Sequence, residues 1–125
     1  IKVKIMNESY GSKDCNLRII QNEKIVVVGY GIQGRAQALN LRDSGLDVLI
    51  SNLDDKYKKI AIEDKFDVID FDEACKVADI LLLLIPDSAH LEFISKNYIS
   101  NYKKGSLISF AHGYSIRFEN LGLPK

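Results

Sequence analysis

Residues 24–34 read KIVVVGYGIQG, and this stretch decides the fold. Lys24 to Val28 is a β-branched apolar run, which predicts a buried strand. A complete G-x-G-x-x-G follows from Gly29 to Gly34, and a predicted helix comes directly after it. This pattern between a strand and a helix is typical of a turn that binds the pyrophosphate of a dinucleotide. The alternative is a tight turn without a ligand.

The glycines of this turn have distinct predicted roles. Gly29 permits the tight turn, Gly31 allows the backbone to approach the pyrophosphate, and Gly34 lets the helix pack closely on the strand. The helix N-terminus supplies free amides and a partial positive charge. We therefore expect the turn to bind the cofactor, with the backbone and side chains of its middle residues contacting the diphosphate, through Gly29, Tyr30, Gly31, Ile32, Gln33 and Gly34.

Strands alternate with helices along the rest of the chain. We predict five strands, at 24–28, 47–51, 67–69, 79–85 and 106–110, and four helices, at 33–44, 55–65, 72–77 and 88–98. The third of these helices is expected to be capped by Asp72. This alternation predicts an α/β fold, a Rossmann-type doubly wound parallel sheet of order 3-2-1-4-5 with helices on both faces. Residues 1–23 are expected to be a lead-in segment packed on a domain of residues 24–125.

Composition and charge argue against several classes of partner. The 17 basic residues balance the 17 acidic ones, so no overall field favours nucleic acid or an anionic membrane. The longest apolar run, Ile80 to Ile85, is far shorter than the roughly 20 residues of a membrane helix. Cys15 and Cys75 show no metal-ligand spacing, and the N-terminus shows no signal-peptide pattern. We expect a cytoplasmic protein with two free thiols and no nucleic-acid or membrane partner.

Four stretches resemble the ketol-acid reductoisomerase family. Residues 29–45 read GYGIQGRAQALNLRDSG, where that family typically has GYGSQGHAHALNLRDSG. Asp14 to Leu17 is similar to its D-x-D/N-L element, Leu83 to Asp87 to its L-L-P-D, and Phe110 to Gly113 to its F-A-H-G. The order and spacing of these stretches agree from about residue 12 to Pro124, which is more specific than any one motif.

The resemblance implies the cofactor-binding domain of an enzyme of branched-chain amino-acid synthesis. The family isomerises 2-acetolactate or 2-aceto-2-hydroxybutyrate with the help of Mg²⁺ and then reduces the product with a nicotinamide hydride. It implies a catalytic role for His112, and an oligomer in the complete enzyme. The metal-binding carboxylates of the family lie in a helical domain that we expect to be absent here. We therefore expect no metal site in this chain and no turnover by it alone.

The loop after the second predicted strand should bind the adenine ribose of the cofactor. We expect the cofactor contacts here to come from Leu53, Asp54 and Asp55. Residues 52–56 contain two carboxylates and no arginine, so the 2′-phosphate of NADPH would meet like charge. The sequence thus favours NADH over NADPH, although Lys56 or Lys58 could offset the repulsion.

The loop after the fourth predicted strand should pass the bridge between adenosine and nicotinamide. We expect contacts there from Pro86, Asp87, Ser88, Ala89 and His90, with His90 at the surface or at the cofactor edge. For Pro86 and Asp87 the alternative is strand termination and helix capping.

Departures from the family pattern leave other functions open. Ile32 stands in place of the usual serine, Arg35 and Gln37 in place of two histidines, and Ser88 in place of the usual glutamate after Asp87. One alternative is another NAD(P)-dependent reductase, such as a β-hydroxyacid dehydrogenase or a pyrroline-carboxylate reductase. A second is a Rossmann module that senses a dinucleotide without catalysis.

Overall fold

A parallel β-sheet forms the centre of the molecule. The computed structural model describes Gly11 and residues 13–124, and the sheet in this part of the chain has five strands in the order β3-β2-β1-β4-β5. The strands are β1 (Ile25–Val28), β2 (Val48–Ser51), β3 (Val68–Ile69), β4 (Ile80–Leu83) and β5 (Leu107–Phe110). The predicted fold class and strand order are confirmed. Each strand begins one residue later than predicted, and β4 ends at Leu83 rather than Ile85.

The two faces of the sheet are buried under different helices. Helices α1 (Ile32–Asp43) and α2 (Lys56–Glu63) cover one face, where they pack on Ile25 and Val27 of β1. Helix α3 (Phe71–Val77) and the helix that begins at His90 cover the other, which includes Val26 and Val28. Successive side chains of a strand point to opposite faces, so burial on both sides explains the unbroken apolar run of β1.

The helix after β4 is more irregular than its sequence predicts. A 3₁₀ turn (Asp87–Ala89) leads into α4 (His90–Phe93), a π turn (Ile94–Tyr98) and α5 (Ile99–Asn101), which follow one another without a break. Ile94 and Tyr98 within the π turn are both buried against the sheet. Because α5 continues to Asn101, the predicted end of this helix at residue 98 is too early. A short helix, α6 (Tyr114–Phe118), follows β5 and was not predicted.

The predicted cap of α3 is wrong by two residues. Asp70 precedes the helix and its side chain accepts a hydrogen bond from the Glu73 amide at 2.7 Å. Asp72 lies in the first turn, where its carboxylate accepts hydrogen bonds from the side chains of Asn97 and Asn101 instead. Both aspartates suit a helix start by type, so only the backbone geometry distinguishes them.

The predicted lead-in lies only partly within the described residues. Residues 1–10 and 12 of the expected 1–23 segment are outside them. The rest contains a 3₁₀ turn (Leu17–Ile19) capped by Asn16, and Ile20 packs against the core under α1 and α2. Cys15 is exposed, Cys75 is buried, and both are free thiols.

Two glycines allow the close approach of β1 to its neighbours. Gly29 has φ +96°, and an added Cβ would lie 2.9 Å from the Leu84 carbonyl oxygen. A Cβ on Gly34 would lie 1.9 Å from the carbonyl oxygen of Gly29, so no side chain fits where α1 crosses the end of β1. The roles predicted for Gly29 in the turn and Gly34 in helix–strand packing are thus borne out.

Gly34→Ala is expected to destabilise the domain by about 3 kcal/mol, because the added methyl group displaces α1 from the backbone of β1. Gly31→Ala is the matched control, since a Cβ at Gly31 meets no described atom within 4 Å. The control should lower the free energy of unfolding by at most about 1 kcal/mol. Urea denaturation followed by circular dichroism measures both changes, and equal unfolding midpoints would contradict this account.

Candidate functional site

A cleft of about 1150 Å³ opens at the carboxyl ends of the strands. The sheet register places these ends side by side, because Val28 pairs with Ser51 and Leu83, and Leu83 pairs with Phe110. The loops that follow β1, β2, β4 and β5 therefore meet at one edge, where an open parallel sheet binds its ligands. The cleft is lined by residues from each of them, including Gly29, Gly31, Gln33, Asn52, Leu53, Asp55, Pro86, Asp87, Ala89 and His112.

The N-terminus of α1 points free amides into this cleft. Gly31 is the N-cap residue, and the first backbone hydrogen bond of the helix runs from the Arg35 amide to the Gly31 carbonyl at 2.9 Å. The amides of Ile32, Gln33 and Gly34 precede that bond, so the helix provides them with no acceptor. A pyrophosphate fits this arrangement because the amides and the helix dipole favour an anion, and Gly31 leaves space for it.

Tyr30 is one of the residues that line the cleft, and its side chain is buried and bonded within the protein. The residue is 1% exposed, its hydroxyl donates to Asp64 at 2.9 Å, and its ring packs edge-on against Phe66. Arg35 donates two further hydrogen bonds to the same carboxylate, at 2.6 and 3.0 Å. These bonds from Arg35 lower the pKa of Asp64 to about 2, and burial together with the Asp64 contact raises the pKa of Tyr30 to about 12.

Asn52 connects the glycine-rich turn to the loop after β2. Its side-chain oxygen accepts the Tyr30 amide at 2.8 Å, and its side-chain nitrogen donates to Leu53 O and to an Asp55 carboxylate oxygen, each at 2.9 Å. The Tyr30 amide is therefore directed at Asn52 rather than at a ligand. Asn52 was not predicted as a site residue, although its position directly after a predicted strand was an available signal.

The two aspartates of this loop have different surroundings. Asp55 caps α2 by accepting the amides of Tyr57 and Lys58, in addition to the Asn52 contact. Its carboxylate is therefore engaged in the loop itself, as the cap of α2. Asp54 is 91% exposed at its side chain, with the Lys58 ammonium 3.3 Å away. Leu53 and Asp55 line the cleft, whereas Asp54 is not among its lining residues and its side chain is directed to solvent.

The loop after β4 brings some of its predicted residues to the cleft and turns others away. Pro86, Asp87 and Ala89 line the cleft, whereas Ser88 is exposed outside it. The expectation that His90 lies at the surface or at the cofactor edge is wrong, because its side chain is buried and forms hydrogen bonds within the protein. The His90 ring is held in the core by Ile85, Ser115 and Phe110, which lie around it.

His112 lies at the mouth of the cleft with one ring nitrogen occupied. Its Nδ1 accepts the Tyr114 amide at 3.1 Å and lies 3.7 Å from the Asp87 carboxylate. Because a backbone amide can only donate, Nδ1 is unprotonated in this arrangement and Nε2 carries the proton of the neutral ring. The side chain is 70% exposed. His112 therefore offers an N–H donor beside a carboxylate.

A second cleft of about 600 Å³ lies between the lead-in and the C-terminal end of α1. Its lining residues include Cys15, Arg18, Ser44 and Gly45. It has no helix N-terminus and no strand end, so it lacks the features that recommend the first cleft. Within Gly11 and residues 13–124, no three His, Cys, Asp or Glu side chains are grouped to hold a metal ion, and no helix is long and apolar enough to cross a membrane.

The fold and the cleft together define a Rossmann domain that binds a nicotinamide dinucleotide. The chain belongs to the family of acetohydroxy acid isomeroreductase NADPH-binding domains, which it matches over residues 19–125. The family resemblance found in the sequence is thereby confirmed.

Two curated relatives are ketol-acid reductoisomerases (NADP(+)). The protein from Petrotoga mobilis is 41% identical and that from Pyrobaculum aerophilum 40% identical, each over 121 residues. The match covers 96% of this chain and 37% of each relative, so the chain spans little more than a third of their length. The solved structure of an NADH-preferring ketol-acid reductoisomerase from an uncultured archaeon superposes with a TM-score of 0.85 at 31% identity, covering 91% of this chain and 36% of that one.

Gly31→Val is expected to weaken dinucleotide binding at least 100-fold, because its side chain fills the space beside the α1 amides that the pyrophosphate needs. Isothermal titration calorimetry with NADH and with NADPH measures the change. Gly31→Ala should have a smaller effect, and Ser88→Val, outside the cleft, should have none. Wild-type affinity in Gly31→Val would show that the dinucleotide does not bind at this turn.

Proposed function

We propose that this domain supplies the cofactor and a catalytic histidine to ketol-acid reductoisomerase activity. The substrate class is 2-acetolactate or 2-aceto-2-hydroxybutyrate, and the product is the 2,3-dihydroxy acid. The observation that carries the proposal is the position of His112, which lines the same cleft as the glycine-rich turn and lies beside Asp87. The names of the relatives support the reaction class.

The proposed binding mode assigns one part of the cofactor to each loop. The pyrophosphate lies at the N-terminus of α1, the adenine ribose next to Leu53 and Asp54, and the nicotinamide beyond Pro86 and Asp87, towards β5. Bound in this way, the reduced nicotinamide supplies the hydride of the reduction step. Ile32 is 91% exposed at the rim of the turn, and because its side chain has no donor, only its backbone amide can donate a hydrogen bond to the pyrophosphate.

The proposed role of His112 follows from its tautomer. With Nδ1 held by the Tyr114 amide, Nε2–H donates a hydrogen bond to an oxygen of the substrate. The Asp87 carboxylate lies 3.7 Å from Nδ1, on the side of the ring that the Tyr114 amide also contacts. Gly11 and residues 13–124 contain no group of three His, Cys, Asp or Glu side chains that could hold the Mg²⁺ used by the family. The role proposed for this domain therefore involves no metal ligand.

His112→Ala is expected to lower kcat by at least 100-fold, because it removes the donor beside the substrate oxygen. The measurement is NADH or NADPH oxidation in a polypeptide that joins this domain to the remaining part of a ketol-acid reductoisomerase. The dissociation constant of the cofactor should stay within about threefold of the wild-type value, since the diphosphate contacts are unchanged.

The control for this variant is Ser88→Ala, which changes an exposed side chain outside the cleft. It should leave both kcat and the cofactor dissociation constant unchanged. An unaltered kcat in His112→Ala would assign His112 a packing role and refute the proposed catalysis.

We further propose that the domain prefers NADH to NADPH. The exposed Asp54 carboxylate supports this preference, because the 2′-phosphate of NADPH would approach it with like charge, whereas the free 2′-hydroxyl of NADH could donate a hydrogen bond to it. The lysines of this loop are engaged, since Lys58 pairs with Asp54 and Lys56 lies 5.0 Å over the ring of Tyr57. The curated relatives are named for NADP(+), while one solved relative is described as NADH-preferring, so both specificities occur among similar proteins.

Asp54→Asn is expected to strengthen NADPH binding about fivefold, corresponding to about 1 kcal/mol of like-charge repulsion removed in an exposed loop. NADH affinity should change less, because the amide oxygen can still accept from the ribose hydroxyl. Titration calorimetry at low salt compares the two cofactors, and Glu63→Gln removes an equal charge outside the cleft as the control. Tighter NADPH binding by the wild type, weakened by Lys58→Ala, would show that the lysine determines the preference instead.

A further inference from the structure

We infer that His90 is a positioning residue that fastens the loop after β4 to helix α6 and thereby holds Asp87 and His112 in place. His90 is 1% exposed and is one of three polar residues, with Ser51 and Ser115, that are buried in the described part of the chain. It does not line the cleft and so cannot contact the cofactor directly. The inference rests on the proposed function in one respect, the catalytic role of His112.

The hydrogen bonds of His90 fix its tautomer. Its Nε2 lies 3.1 Å from the carbonyl oxygen of Ile85, which can only accept, so Nε2 carries the proton. Its Nδ1 then has a lone pair and accepts from the hydroxyl of Ser115, at 2.9 Å. Both ring nitrogens of this buried imidazole therefore have hydrogen-bond partners, and each bond leads to a different segment of the chain.

The two segments are the ones that carry Asp87 and His112. Ile85 precedes Asp87 by two residues in the loop after β4, and Ser115 follows His112 by three residues at the start of α6. The Asp87 carboxylate lies between the two histidines, 3.8 Å from His90 Nδ1 and 3.7 Å from His112 Nδ1.

The ring of His90 also packs edge-on against Phe110, the last residue of β5, with ring centroids 5.3 Å apart. One planar side chain thus contacts both ends of the segment that presents His112. A change at His90 is expected to move His112 relative to Asp87 more than it moves Gly31, because the hydrogen bonds and the ring contact of His90 lead to Ile85, Ser115 and Phe110 and not to the start of α1.

Four substitutions at His90 and Ser115 test the two hydrogen bonds of His90 separately. Asn has its amide group at the distance of Nδ1 from the backbone, so His90→Asn can keep the contact with Ser115. Gln reaches as far as Nε2, so His90→Gln can keep the contact with Ile85. His90→Phe fills the volume and removes both bonds, and Ser115→Ala removes one hydroxyl with little risk to folding.

Turnover is measured in the polypeptide that joins this domain to the rest of a reductoisomerase. We expect His90→Phe to lower kcat at least tenfold and Ser115→Ala about threefold, with the NADH dissociation constant within threefold of wild type. His90→Asn and His90→Gln should each recover part of the loss. In a His112→Ala background, His90→Phe should cause no further loss, because its effect acts through His112.

Nuclear magnetic resonance of the 125-residue chain tests the contacts without catalysis. Histidine ¹⁵N spectra should show His90 as the neutral Nε2–H tautomer, and Ser115→Ala should shift the resonances of His112 and Asp87 but not those of Gly31. If His112→Ala leaves kcat unchanged while these shifts occur, the proposed function fails and the positioning contact stands. The positioning role would be overturned if the kcat losses of His90→Phe and His112→Ala multiplied in the double variant. It would also be overturned if Ser115→Ala left the His112 resonances unshifted.

Discussion

The approach of helix α1 to the end of strand β1 is the constraint on which the site depends. The Gly29 carbonyl lies where a side chain on residue 34 would begin, so the helix starts directly above the end of the strand. β1 is the central strand of the sheet, and the order reverses there between β2 and β4. A helix N-terminus with free amides is therefore held at the one place where loops from both halves of the sheet diverge and leave a cleft.

Single planar side chains join the loops on each side of this cleft. On the β2 side, the Asn52 amide accepts from Tyr30 and donates to Asp55, so the turn and the ribose loop share one hydrogen-bond network. On the β5 side, His90 joins the loop after β4 to α6. Both residues use a donor and an acceptor in the same plane, which sets the orientation of two segments at once. The loops that line the cleft are thus joined to one another by hydrogen bonds within the protein.

Several charged side chains near the cleft are already paired within the protein, so few of them remain to bind a ligand. Arg35 is committed to Asp64, which also accepts from Tyr30, and Asp55 is committed to the start of α2. What remains at or next to the cleft is Asp54 with Lys58 on the β2 side, the dipole of α1 in the middle, and Asp87 with His112 on the β5 side. In the proposed binding mode this order matches a dinucleotide, whose diphosphate lies between the adenine ribose and the nicotinamide.

The sequence by itself determined the strands, their order and the roles of Gly29 and Gly34, because apolar runs and glycine spacing act through neighbours close in the chain. It also determined the family, through motifs that agree in order and spacing. The tertiary structure decided where individual polar side chains point. Tyr30 turns towards Asp64, Asn52 reaches back to the glycine-rich turn, and His90 is buried against Ser115. Their partners lie 34, 22 and 25 residues away, and such distant contacts leave no periodic signal in the chain.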